Sequence, residues 1–83
     1  MKILYFAWVR ERTGLDEETV ELPETISTVG EMLDWLAGRG PNYAAALEEP
    51  SVIRVALDQR HVTHDAPIGE AGEAALFPPM TGG

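Results

Sequence analysis

The first strong pattern in the chain is an apolar run, Ile3 to Val9, held between Lys2 and Arg10. It is short and rich in aromatic and β-branched residues, so it predicts a strand over Lys2–Val9. Arg10–Gly14 reads as a turn, with Gly14 free to take a positive φ. Asp16–Leu22 alternates weakly and predicts a second strand, at an edge that its acids protect. Pro23 ends that ladder. A helical period follows. Val29, Met32, Leu33 and Leu36 recur on one face, and Thr28 with Glu31 fits a capping box. Gly38, Gly40 and Pro41 stop it, giving a helix from about Thr28 to about Arg39. Asn42–Pro50 adds a short helical turn that Pro50 halts. Ser51–Leu57 is a third strand. A tight turn at Asp58-Gln59 leads to a short fourth strand at His61–Val62. After a turn-rich stretch, Glu73–Phe77 is the last strand. The order is β-β-α-β-β-β, an α+β fold: a mixed sheet of about five strands with one main helix packed on one face.

Strand side chains alternate, so one charged residue phases each strand. Lys2 pointing outward takes Leu4, Phe6 and Trp8 with it and leaves Ile3, Tyr5, Ala7 and Val9 facing the helix. Arg54 takes Val52 and Ala56 outward and leaves Ile53, Val55 and Leu57 inside. Glu73 takes Ala75 and Phe77 outward and leaves Ala74 and Leu76 inside. The inward set has the helix stripe as its partner. The outward set has none, so Leu4, Phe6, Trp8 and Phe77 are expected to form an apolar docking patch on the open sheet face.

Composition narrows the possibilities. The chain has 83 residues, 14 acids against 6 bases, a formal net charge of −8 and no cysteine. That length makes one domain. The acid surplus argues against nucleic acid and anionic membranes and favours a partner with a basic face. Without cysteine there is no disulfide, thiolate zinc site or cysteine nucleophile. Arg10, Glu11 and Arg12 follow the first apolar run where a signal peptide needs small residues, and no stretch approaches the roughly 20 apolar residues of a membrane span. A cytoplasmic protein is expected. His61 and His64 are spaced H-x-x-H, but no third ligand is forced nearby, so no metal site is assigned.

The remaining signal is the ending, Phe77-Pro78-Pro79-Met80-Thr81-Gly82-Gly83. Two prolines stiffen a chain and cannot donate to a ladder. A Gly-Gly end is the thinnest peptide available and can thread a narrow channel. This reading divides the chain into a domain over residues 1–77 and an extended tail over 78–83. The α-carboxylate of Gly83 is a poor acyl donor until a nucleotide triphosphate adenylates it. Sulfur can then displace the adenylate and leave a thiocarboxylate.

The stretches "KILYFAWVRERTG", "VALDQRHV" and "FPPMTGG" resemble the small-subunit family of molybdopterin synthases, which are ubiquitin-like β-grasp sulfur carriers. The resemblance covers essentially the whole chain, and Phe-Pro-Pro-x-Thr-Gly-Gly is its most specific element. It implies a non-catalytic carrier subunit, active only with a large catalytic subunit. A separate adenylating enzyme would consume ATP to activate Gly83, and the carrier itself would hold no cofactor. The sulfur would pass to cyclic pyranopterin monophosphate, with Thr81 and Gly82 threading into the large subunit. The resemblance also implies partner contacts at Phe6, Arg10, His61 and Phe77, together with Pro78, Pro79 and Met80; Trp8 joins them from the strand phasing. His61 stands where the family often has an apolar residue, and Met80 where it more often has Val. Carriers for thiamine or cysteine synthesis, protein modifiers and plain binding modules are the alternatives.

Overall fold

The computed structural model describes residues 1–79; Met80, Thr81, Gly82 and Gly83 lie outside the described residues. Five strands form one sheet: β1 (Lys2–Tyr5), β2 (Glu17–Thr19), β3 (Arg54–Leu57), β4 (Arg60–Val62) and β5 (Glu73–Phe77). Their spatial order is β2-β1-β5-β3-β4. β1 and β5 pair in parallel at the centre, and the other pairs are antiparallel. Three helices, α1 (Ala7–Thr13), α2 (Val29–Ala37) and α3 (Pro41–Ala46), contribute buried residues to one core with the sheet. This is the ubiquitin-like β-grasp arrangement.

The main helix starts as its sequence requires. The Thr28 hydroxyl accepts the Glu31 N–H at 3.2 Å, and the Glu31 carboxylate accepts the Thr28 N–H at 3.0 Å. Two donors of the first turn that would otherwise lack partners are thereby satisfied. Two more go to a neighbouring loop: the Val29 N–H donates to the Ala66 carbonyl at 3.0 Å and the Gly30 N–H to that of His64 at 2.8 Å. Val29, Met32, Leu33 and Leu36 are fully buried. They meet Ile3 and Tyr5 of β1, Val55 and Leu57 of β3, and Ala74 and Leu76 of β5, the inward set expected from alternation.

Two expectations need correction. The first strand does not run to Val9. It ends at Tyr5, and Phe6 turns the chain into α1. The Phe6 carbonyl accepts the N–H groups of Val9 and Arg10 at 3.1 and 3.3 Å, which opens the helix. Gly14, at φ 81°, closes it with an N–H bond to the Arg10 carbonyl. A short apolar run reads equally well at either period. Here Val9 and Thr13, four apart, are the buried residues of the helix. Ala7, expected inside, is exposed. The second correction concerns helix number. Besides the main helix, α1 was not expected, whereas α3 is the helical turn expected over Asn42–Pro50; Val9, Tyr43 and Ala46 of the two are buried in the core. No helix among the described residues is long and apolar enough to cross a membrane.

Candidate functional site: the open sheet face and the root of the tail

Register builds one row of side chains across the face away from the helices. Leu4 lies opposite Ala75, Ala75 opposite Ala56, and Ala56 opposite His61. The next row, toward the exit of β5, holds Phe77 opposite Arg54. Phe6 stands beside it, its N–H donating to the Leu76 carbonyl at 3.1 Å. The two alanines make a low floor, and larger groups rise around them. Phe6 is 46% exposed, an unusual exposure for a large apolar side chain. The His61 ring meets the Phe77 ring edge-on, with centroids 5.2 Å apart. Pro78 and Pro79 follow directly. Neither carries an N–H, so ladder pairing through the backbone donors of β5 stops there.

The charges on this face balance. Lys2 and Arg54 oppose Glu17 and Glu73, and Lys2 pairs with Glu17 at 3.3 Å. The net charge of −8 therefore belongs to the rest of the surface. The face is apolar at its centre and carries as many bases as acids among these residues, inside an acidic molecule.

The structure thus gathers Phe6, His61, Phe77, Pro78 and Pro79 around the last turn of β5. Trp8 is not among them. It sits on α1, half-buried against the core, and the Arg12 guanidinium stacks over its ring at 4.4 Å. Its outward placement rested on a strand that ends three residues earlier, at Tyr5. Arg10 is also on α1, exposed and paired with Asp16 at 3.7 Å. The expected roles of Met80, Thr81, Gly82 and Gly83 fall outside the described residues.

His64 makes a backbone contact instead of facing His61: its Nε2 lies 2.7 Å from the Ile53 carbonyl. Among the described residues no cluster of three or more His, Asp or Glu is arranged to hold a metal.

Sequence reading missed one polar cluster. The Glu18 carboxylate accepts hydrogen bonds from the Tyr5 and Tyr43 hydroxyls, each at 2.7 Å, and from Arg39 at 2.9 Å. It ties β2 to β1, α3 and the end of α2. Burial works to raise the Glu18 carboxyl, but the hydrogen bonds from Tyr43, Tyr5 and Arg39 outweigh it and hold it below the usual carboxylate range. Burial, then the bond to Glu18, pushes the Tyr5 hydroxyl far up, and the same causes raise Tyr43. The available signal was positional: Glu18 pairs with Ile3, so it is phased toward the helices.

A protein-family model matches residues 3–83, and it is described as the ThiS family. This chain belongs to the ThiS family. A molybdopterin synthase sulfur carrier subunit of Escherichia coli is 36% identical to this ThiS-family chain over 83 residues, covering 100% of the chain and 99% of the relative. A second, of Arabidopsis thaliana, is also 36% identical, over 100% of this chain and 82% of its own length. Among solved structures, small archaeal modifier protein 1 of Haloferax volcanii superposes with a TM-score of 0.73 at 27% identity, covering 96% of this ThiS-family chain and 97% of the other.

Proposed function

We propose that this chain is the sulfur-carrier small subunit of a molybdopterin synthase, working in the cytoplasm in molybdenum cofactor biosynthesis. The observation that carries the reading is the convergence of Phe6, Phe77, His61 and the Pro78-Pro79 neck at one end of an otherwise unpartnered apolar sheet face. Family membership and the names of the curated relatives support it.

In this reading the domain over residues 1–77 docks, and the tail over 78–83 reaches into a partner. An adenylating enzyme activates the Gly83 carboxylate: a carboxylate oxygen attacks the α-phosphorus of ATP and pyrophosphate leaves. A sulfur nucleophile from a donor then adds to the acyl carbon and AMP leaves. With a persulfide donor, a thiol reductant supplies the two electrons that break the donor S–S bond, and the acyl group then carries sulfur in place of one oxygen. The thiocarboxylate delivers that sulfur within the large catalytic subunit to cyclic pyranopterin monophosphate, and water restores the carboxylate. Thr81 and Gly82 are slim enough to thread a channel. The chain binds no cofactor of its own.

Intact-mass measurement tests this. After incubation with the activating enzyme, ATP and a sulfur donor, the chain should gain one sulfur and lose one oxygen. Deleting Gly83 should abolish the gain and leave folding unchanged. Transfer that survives the deletion refutes the reading.

The likeness to a small archaeal modifier protein favours a second reading, in which a lysine amine attacks the activated Gly83 carbonyl and forms an isopeptide bond. Mass ladders on other proteins, requiring Gly83, would mark that outcome.

A further inference from the structure

Among the described residues, the open face carries one basic side chain that no ion pair uses. Lys2, Arg10 and Arg39 each sit in an ion pair, and Arg12 stacks on Trp8. Arg54 and Arg60 have no carboxylate within ion-pair distance among the described residues, although the chain has 14 acids to 6 bases. Their positions differ. Arg60 lies opposite Leu57, in phase with the buried side of β3. Arg54 lies opposite Phe77, in phase with Ala56 on the open face.

The acids of the open face do not share its half of the sheet. Glu17 stands at the β2 edge of the docking row, three strands from β3, and Glu73 lies at the other end of β5, four residues from Phe77. On the tail side Arg54 instead borders a surface groove of about 300 Å3, which it lines with His61, Val62 and Thr63. The groove is lined from β3 and β4, with Val55 completing its wall. An exposed guanidinium beside an aromatic pair and a recess is suited to a planar carboxylate, which it can hold through two parallel N–H bonds.

We propose that Arg54 is the polar anchor of the docking face, and that it pairs with an Asp or Glu carboxylate on the large catalytic subunit. This inference rests on the molybdopterin synthase reading and deepens it. The apolar row supplies contact area but little orientation, because hydrophobic contact is non-directional. A single charge pair beside the root of the tail fixes the rotation of the domain on its partner. It thereby aims the segment after Pro79. The charge complementarity runs opposite to the one expected from composition: the chain is acidic overall, yet its docking face offers a cation and calls for a local anion.

The test is calorimetric titration of the full-length chain into the purified large subunit at low and high salt. Arg54→Gln should weaken binding by about tenfold and Arg54→Glu by about a hundredfold at low salt, with both differences shrinking as salt rises. Arg54 is exposed, so the thermal unfolding midpoint of both variants should stay at the wild-type value. Reversing the partner's interface carboxylates to arginine, one at a time, should restore binding to Arg54→Glu at one position and weaken binding to wild type there. If wild type binds and Arg54→Glu binds equally well, the anchor role falls while the parent reading stands. A loss that no reversal recovers also overturns it. If the wild-type chain does not bind the large subunit at all, both fall together.

Discussion

Glu18 is the residue on which the polar architecture turns. Three donors, from β1, α3 and the turn after α2, converge on one carboxylate whose side chain is 16% exposed. Its folded pKa lies below the ordinary 4.5, so its contribution to stability is fully present above that value and is lost as pH falls through the folded one. Glu18→Gln should lower stability by about 2 kcal/mol at neutral pH, because three charge-assisted bonds weaken at once. It should also flatten the acid limb of the stability curve below about pH 4.5. Urea titrations across pH check both outcomes, and an unchanged acid limb would assign the acid sensitivity to other carboxylates. The residue was legible only in part. In the sequence it reads only as one of the acids protecting an edge strand, and nothing there nominated Tyr5, Tyr43 and Arg39, which lie 13, 25 and 21 residues away.

Turns and helix ends set the accuracy of the elements. The β3–β4 hairpin turns through Asp58 and Gln59 at φ 47° and 70°, the left-handed pair that a two-residue connection needs to match strand twist. Asp58 also accepts the Gly72 and Glu73 N–H groups, each at 3.1 Å, which fixes the start of β5. Gln59 has no such task among the described hydrogen bonds, and its side chain only adds strain at positive φ. Gln59→Gly should therefore raise stability by about 0.5–1 kcal/mol, read as a higher urea midpoint with an unchanged slope. The turn and β5 were placed correctly from sequence because Asp-Gln and the Pro-Pro stop are local signals. The α1 helix was not, because the competing signals there are of equal strength. Trp8 and Val9 suit a strand, and the decision lies in where β5 stops offering partners. The Phe6 N–H takes the Leu76 carbonyl, and beyond it β5 pairs Phe77 with Arg54 on the other side.

The molecule as a whole separates two tasks on two faces. The helix side hides its apolar groups and carries polar and acidic ones outward. The open side keeps Leu4, Phe6 and Phe77 accessible around a floor of small residues. Phe6→Glu tests that division, since it places a charge where the proposed partner packs. It should weaken binding to the large subunit by about a hundredfold or more, as removal of a central aromatic contact does, and leave the far-UV circular dichroism and unfolding midpoint unchanged. Unfolding of this variant would mean that Phe6 belongs to the core. The acidic remainder of the surface speeds encounter with a basic partner and should make association slow as salt rises.

Local chemistry was enough to settle the α+β class, the capped main helix, the five-strand count and the inward faces of β3 and β5. Each rests on neighbours a few residues apart: a period, a cap, an alternation, a proline. The ending is local in the same sense, for the stiff Pro78-Pro79 pair and the aromatic Phe77 beside it are what suggested a working carboxyl group, while Met80 to Gly83 lie outside the described residues. Tertiary structure decided what depends on partners distant in sequence. The length of β1 is set by β5, and the burial of Glu18 by three remote donors. The side taken by Trp8 depends on where that strand yields to a helix. That no carboxylate among the described residues pairs with Arg54 is of the same kind, for which acids come near a charge is settled only by the folded chain.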